Sequence, residues 1–285
     1  MTKIGIIGGS GLYRMDALKN VQEVELDTPY GPPSDIIVQG TLGDATLFFL
    51  PRHGRQHLIP PGEINFRANI FAMKLLGVEK IISVSAVGSL REHIEPGDMV
   101  LVDQFIDFTR ADRPATFFEK GITGHVSMAQ PTCPCLRDAL KQAIGSLDVT
   151  LHSHGTYICM EGPQFSSRAE SHMYRAWGAD VVGMTNMPEA KLAREAEICY
   201  ATLALSTDYD CWKEDEEHVS VEMVLEIMHR NVENAKQVLQ VLAARTIDAG
   251  CQCGSAAANA VITPADAISR ELREKLFPLY GKYWQ

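Results

Sequence analysis

The stretch EINFRANIFAMKLLGVEKIISVSAVGSL, residues 63–90, holds two periodicities back to back. From Glu63 to Val78 the apolar residues recur every three or four positions, and Gly77 stops the pattern as a helix C-terminus would. From Glu79 the chain becomes continuously apolar for a strand's length and then runs into small residues, Ser85, Ala86, Gly88 and Ser89. Such a run suits a strand covered on both faces. The same alternation repeats downstream. PCLRDALKQAIGSL (134–147), SRAESHMYRAWGA (167–179) and MPEAKLAREAEI (187–198) read as helices, with Ser167 as an N-cap and Pro188 in a first turn. GDMVLVDQFIDF (97–108), TLHSHGTYICMEGP (150–163), DVVGMTN (180–186) and CYATLALSTDYD (199–210) read as one strand each. Strands alternating with helices predict an α/β sandwich.

Upstream, TKIGIIGG (2–9) reads as a first strand, and SDIIVQGTL (34–42) with DATLFFLPRHG (44–54) as a hairpin about a Gly-Asp turn. Downstream, SVEMVLEIMHRNVENAKQVLQVLAARTIDA (220–249) is one long helix or two. ADAISRELREKLFPLYGKYW (265–284) is a last helix that could dock on a neighbour. There is no internal repeat and no linker-like composition. One domain over 1–245 with a C-terminal extension over 246–285 is expected.

The 285 residues are 46% hydrophobic and 22% charged, an ordinary globular composition, with a formal net charge of −10. That balance argues against a broad nucleic-acid or membrane surface, so an anionic substrate needs a local pocket. Glycines from residue 5 leave no room for a signal peptide's apolar region, and no apolar run approaches the ~18 residues of a membrane span. A cytoplasmic protein is expected.

Strand ends gather polar groups. Arg52 and His53 follow an apolar run in LPRHGRQH; Ser85 and Ala86 sit in VSAVGS; Thr185 ends GMTN's strand; Thr207, Asp208 and Asp210 close LSTDYD. Ligands of α/β sheets bind beyond the strands' carboxyl ends. Arg offers a planar fork to phosphate oxygens, and hydroxyls donate without adding charge. Singly, Arg52 could be a surface charge and His53 a structural histidine. The turn GGSG, residues 8–11, is a poor dinucleotide fingerprint, because Arg14 stands at the third glycine position, and no Lys-Ser or Lys-Thr pair completes a P-loop. It holds a small anion with its N–H groups and Ser10, or it is a plain turn. A carboxylate at the end of an apolar strand, Asp208, should be desolvated and so able to donate a proton, with Asp210 capping the loop that follows.

Metal ligation finds little support in spacing. His53 and His57 are four apart, but Gly54 and the preceding strand argue against a helix there, and KEDEEH (213–218) reads as a solvated loop. Of seven cysteines, Cys159, Cys199 and Cys211 read as small core residues. Two C-x-C pairs, Cys133/Cys135 and Cys251/Cys253, lack the C-x2-C spacing of zinc sites. The second pair is either a disulfide or two free thiols.

Taken together, IGIIGGSGL, DTPYGPPSD, PRHGRQH, GSLREHIEPGD, DQFIDFT, EGPQFSSRAE, WGADVVGMTNMPE and STDYDCWKE, in this order from residue 4 to about 217, resemble the trimeric purine nucleoside phosphorylase family. The resemblance implies a three-layer α/β/α fold with a mixed, partly barrel-like central sheet, assembled as a homotrimer or as a dimer of trimers. It implies phosphate held by Ser10, Arg52, His53, Ser85, Ala86 and Thr185. Ribose would lie near Met184 and Phe165, and purine at Thr207, Asp208, Tyr209 and Asp210. Ser166 and Val221 match specificity positions, Val224 a 5′-alkylthio pocket, and His125 a residue reaching a neighbour's site. Ser10 and Ser85 stand where other members have threonine, and Gly183 where some have asparagine. The tail's C-x-C pair is similar to one associated with disulfides in thermophile members.

The implied reaction is phosphorolysis of 5′-methylthioadenosine, in which Asp208 protonates the departing purine. Phosphate is a co-substrate, and no cofactor, metal, nucleic acid or membrane is involved. An acid at 208 matches the donating 6-amino group, whereas an amide would suit a 6-oxopurine. The competing expectations are a 6-oxopurine nucleoside phosphorylase, a nucleoside-binding protein without turnover, and a hydrolase.

Overall fold

The computed structural model describes residues 1–285 except 10, 111, 214–220, 246, 248–249 and 285, and the side chains of 221–226. Ser10, the KEDEEH loop beyond Lys213, and the side chains of Val221 and Val224 therefore lie outside the described residues.

Eleven strands form one mixed sheet. They are β1 (Thr2–Gly8), β2 (Lys19–Val24), β3 (Ile37–Leu42), β4 (Ala45–Pro51), β5 (Lys80–Ser89), β6 (Met99–Val102), β7 (Gln104–Phe108), β8 (Leu151–His152), β9 (Thr156–Met160), β10 (Val181–Gly183) and β11 (Cys199–Asp208). Among the described residues six α-helices flank it: α1 (Phe66–Leu75), α2 (Pro134–Ile144), α3 (Arg168–Ala176), α4 (Asn186–Glu195), α5 (Val221–Ala243) and α6 (Arg270–Tyr280). The path β2-β3-β4-β1-β5-β10-β9-β7 carries a side branch in which β11 pairs with β5 and β6, and β6 with β8. The sheet thus divides at β5. Its two branches are rejoined by the chain itself, since β6 runs into β7 through Asp103 and β8 into β9 through 153–155. This curls the sheet toward a barrel.

Side chains alternate along the strands and separate two large cores, beside a smaller cluster around Leu90, Ile158 and Tyr174. Ile7, Ile81 and Val87 face a core with Ile70, Phe71 and Met73 of α1, Ala190 and Leu192 of α4, and Leu272, Leu276, Leu279 and Tyr280 of α6. Ile4, Ile6, Ile82 and Val84 face the other, with Leu136 and Leu140 of α2 and Val238, Leu239 and Leu242 of α5. That is the expected three-layer arrangement. The C-terminal segment packs on its own chain: Phe118 stacks on Tyr280, and buried Glu197 accepts from the Ala257 N–H and pairs with Lys282 at 2.6 Å.

Local chemistry explains the elements. Ser167 and Glu170 close a capping box on α3, and Gly77, at φ +71°, takes the left-handed turn that ends α1. The 42–45 hairpin turns at Gly43, φ +56°. Two readings need correction. The runs 97–108 and 150–163 are two strands each. Asp103 breaks the first by accepting the Gly155 N–H at 3.0 Å, and its own N–H donates to Gly155 O, so the breaks lock together. The exposed strand β2 has no apolar pattern to announce it.

Candidate active site

A cavity of about 300 Å³ opens where the branches part, lined by the ends of β4, β5, β10 and β11. Its walls include Arg52, His53, Ser85, Ala86, Phe165, Met184, Thr185, Thr207, Asp208 and Asp210, so most of the residues expected from sequence converge. Gly9 brings the glycine turn to the same wall. Met160, Val182 and Met228 add an apolar lining that sequence reasoning did not single out. A larger open groove of about 490 Å³ shares His53, but Glu25, Asp27 and Asp35 line it, an unfavourable surface for an anion.

At one end lie two carboxyls. The register of β11 on β5 shifts between Ser206 and Asp208, which sets Asp208 opposite Gly88. A bulge of this kind re-aims a strand's last side chain. Asp208 accepts from Thr207 Oγ1 and from the Asp210 N–H, both at 2.7 Å. Gly88 makes the approach feasible: a Cβ there would lie 3.0 Å from Asp208 Oδ1 and 3.2 Å from Asp210 Cβ. Asp210 adopts φ +54°, a left-handed conformation that aspartate tolerates better than most. Its Oδ2 is buried without a hydrogen-bond partner among the described residues. Burial raises its pKa, and the neighbouring Ser171 and Ser166 hydroxyls oppose that rise. Asp210 is therefore a cavity carboxyl rather than the simple loop cap read from sequence.

At the other end lie hydroxyls. Ser85 Oγ and the Thr185 N–H both meet the hydroxyl of buried Tyr157, at 3.3 and 3.4 Å. Thr185 leaves its own side chain out of capping α4. Burial pushes the Tyr157 phenol well above its usual range, so it stays neutral. Tyr157 also accounts for Gly183: a Cβ at 183 would fall 2.0 Å from the Tyr157 hydroxyl oxygen. The tyrosine occupies the space that an asparagine side chain would enter.

The two basic residues of the cavity wall are held in different ways. Arg52 is 3% exposed, and its Nε and Nη2 chelate Glu189 at 2.8 and 3.1 Å. Nη1 donates to Val84 O, and Nη2 also reaches Ile7 O and Ser83 Oγ. These acceptors fix the guanidinium in the cavity wall. Burial disfavours its charge, but Glu189 more than compensates and holds the pKa up. His53 lies at Nδ1 2.8 Å from Ile59 O, which assigns the proton to Nδ1 and leaves Nε2 as the acceptor. Burial lowers its pKa to about 4, with Arg52 adding to the effect against the Ile59 hydrogen bond. The histidine is neutral at pH 7. Residues 53–57 form turns, and the His53 and His57 rings stack at 4.4 Å.

Two expected contacts lie elsewhere, and His125, expected at a neighbour's site, stands apart from them. Tyr209 packs edge-on against Trp212 and donates to Glu92 O, because alternation along the chain turns it away from its neighbours Asp208 and Asp210. Ser166 is buried beside Met160 Sδ, behind the lining. His125 is exposed and outside this chain's own cavity. Cys251 and Cys253 are free thiols, not a bridged pair. Sequence reasoning missed Glu189, Ser83, Asn186 and Tyr200, the buried hydrogen-bonded group around Arg52. Glu189 in the apolar face of α4 was the available signal.

The family model described as "Phosphorylase superfamily" matches residues 3–244. A curated relative from Thermosynechococcus vestitus, S-methyl-5'-thioadenosine phosphorylase, is 53% identical over 286 residues, covering 99% of each chain. A solved structure of a methylthioadenosine phosphorylase from an antarctic soil metagenomic library superposes with a TM-score of 0.93 at 50% identity, covering 98% of each chain. That of Schistosoma mansoni methylthioadenosine phosphorylase in complex with adenine superposes at 0.80, with 41% identity over 86% of this chain and 91% of that one.

Proposed function

The chain belongs to the phosphorylase superfamily, and from that premise we propose how its cavity works: it catalyses the reversible phosphorolysis of 5′-methylthioadenosine to adenine and 5-methylthioribose 1-phosphate. The observation that carries the substrate choice is the buried, unpartnered Asp210 Oδ2 beside Asp208 at one end of the cavity. An acceptor left unpaired in a buried site costs about 1–3 kcal/mol. The 6-amino group of adenine brings the missing donor; a 6-oxo group would bring a second acceptor.

Asp208, oriented by Thr207 and the Asp210 N–H, gives the proton to purine N7 as the C–N bond lengthens. Phosphate lies at the opposite end, among the Ser85 and Thr185 hydroxyls, the Ala86 backbone and the glycine turn with Ser10. There it captures the oxocarbenium-like C1′. Neutral His53 accepts a hydrogen bond from a protonated phosphate oxygen through Nε2. Arg52 supports this end through the strands it ties together. Holding the anion in line with C1′ contributes up to about 7–11 kcal/mol through entropy lost in advance. Ribose lies against Met184 and Phe165; we assign the 5′-alkylthio end to Val224, and nucleoside specificity to Val221 and to Ser166 behind the lining. Inorganic phosphate is the sole co-substrate, with no cofactor. Phe165, 52% exposed at the cavity mouth, and His125 suit an assembly in which a neighbour closes each site. We take this assembly to be a homotrimer, in the cytoplasm. Among the described residues no helix is long and apolar enough to cross a membrane.

The test is incubation with 5′-methylthioadenosine with and without phosphate. Adenine and the sugar 1-phosphate are expected only with phosphate, and Asp208→Asn should lower kcat by about 10²–10⁴-fold while phosphate still binds. Sugar release in phosphate-free buffer would indicate a hydrolase. Binding without product would indicate a nucleoside carrier, and preferential release of hypoxanthine from the inosine analogue a 6-oxopurine enzyme.

A further inference from the structure

Cys133, Cys199, Cys251 and Cys253 come from three distant parts of the chain, yet their sulfurs all lie within 4.8 Å of one another. Cys133 is the N-cap residue of α2, Cys199 opens β11, and Cys251 and Cys253 sit at the short 3-10 turn Cys253–Ser255 of the C-terminal segment. None is bonded to another; Cys199 Sγ and Cys251 Sγ lie 3.3 Å apart. We propose that these four cysteines form a tetrathiolate site for a structural zinc ion that fastens the C-terminal segment to the sheet.

Three observations carry this assignment. The first is convergence. Zinc–thiolate bonds of about 2.3 Å at tetrahedral angles place sulfurs about 3.8 Å apart, and the observed cluster brackets that spacing. Disulfides would draw the sulfurs into separate pairs instead of a common centre. The second is the donor set. Sulfur alone selects borderline and soft ions over magnesium or calcium, and four protein ligands leave no open position, the mark of a structural site. The third is the surroundings. Cys133 and Cys253 are buried and the other two half-buried. The Leu136 N–H reaches Cys133 Sγ at 3.5 Å, and Arg194 Nη1 reaches Cys253 Sγ at 3.5 Å. Such donors offset the excess negative charge that four thiolates leave on a divalent ion. On binding, each remaining thiol releases its proton to solvent and no redox step occurs.

The site is remote from the chemistry. Cys199 and Asp208 stand at opposite ends of β11, roughly 30 Å apart at about 3.3 Å per residue. The metal would therefore act on the folding of the tail and leave the catalytic groups untouched.

The decisive measurement uses the intact protein, purified anaerobically with zinc present and freed of loose metal by gel filtration. Elemental mass spectrometry should find about one zinc per chain, and the denatured, chelator-treated chain should titrate all seven of its cysteines as thiols. Replacing zinc by cobalt(II) should give the intense visible absorption of a tetrahedral cobalt thiolate. Cys251→Ser with Cys253→Ser should abolish stoichiometric zinc and lower the melting temperature, with initial rates at low temperature retained; Cys211→Ser should keep the metal. Absence of bound zinc and of cobalt bands in the wild-type chain, or recovery of cysteine-linked peptides with only Cys135, Cys159 and Cys211 titrating, overturns the proposal. Both readouts are independent of turnover, so failure here leaves the phosphorolysis reading standing.

Discussion

At the scale of single residues, burial decides what a basic side chain can do. The resemblance places His53 among the phosphate contacts, and at a folded pKa of about 4 against 6.5 in the unfolded chain it resists protonation and makes that contact as a neutral ring. As pH falls below 6.5 the unfolded chain binds this proton first, so His53 adds nothing against stability above 6.5 and lowers it progressively toward pH 4. The ceiling is about 3 kcal/mol, reduced because solvent reaches part of the ring. His53→Gln should flatten the slope of unfolding free energy between pH 6.5 and 4, measured in urea; an unchanged slope would show that the ring titrates normally. Ser85, Thr185 and Asp208 were legible because strand-end position and residue type suffice to place them. Arg52 was half legible: its position follows from sequence, but its partner, Glu189, lies far along the chain, and no local pattern links them.

At the scale of elements, α4 shows what such a partner does. Its regular part begins at Pro188, since Met187 is extended at φ −115°, ψ 126°. This places Glu189 in the first turn, where the helix dipole favours a negative charge. Glu189 is fully buried, and it binds β4 through Arg52 and β5 through Ser83. Removing it by Glu189→Leu strands a buried guanidinium and should cost about 3–5 kcal/mol, read as a lower urea midpoint. Adding Arg52→Met should recover part of that loss; no recovery would mean that packing, not charge, was at stake. Helix ends were readable throughout, because Ser167, Gly77 and Pro188 act through local geometry. The two divided strands were not, because an apolar run gives no sign of which neighbour it will pair with, and Asp103 gains its meaning only opposite Gly155.

For the whole molecule, the division of the sheet at β5 is the feature least visible in sequence, since it depends on strands separated by more than a hundred residues meeting one long strand. The tail also behaves differently from a simple appendage. Leu272, Leu276 and Leu279 are buried in the same core as α1 and α4. A chain ending at residue 245 should expose that face and fail to unfold cooperatively, as judged by calorimetry. A soluble, sharply melting truncation would make the tail dispensable.

Because Ser85 and Gly88 stand on the same strand, about 10 Å apart at about 3.3 Å per residue, β5 behaves as a ruler laid between the two reagents. Neighbours on both sides hold it, so its graduations do not stretch. A nucleoside whose C1′ stood at another distance from the purine edge that meets Asp208 would miss one mark or the other. Variation in what this enzyme accepts is then expected on the far, 5′ side of the sugar.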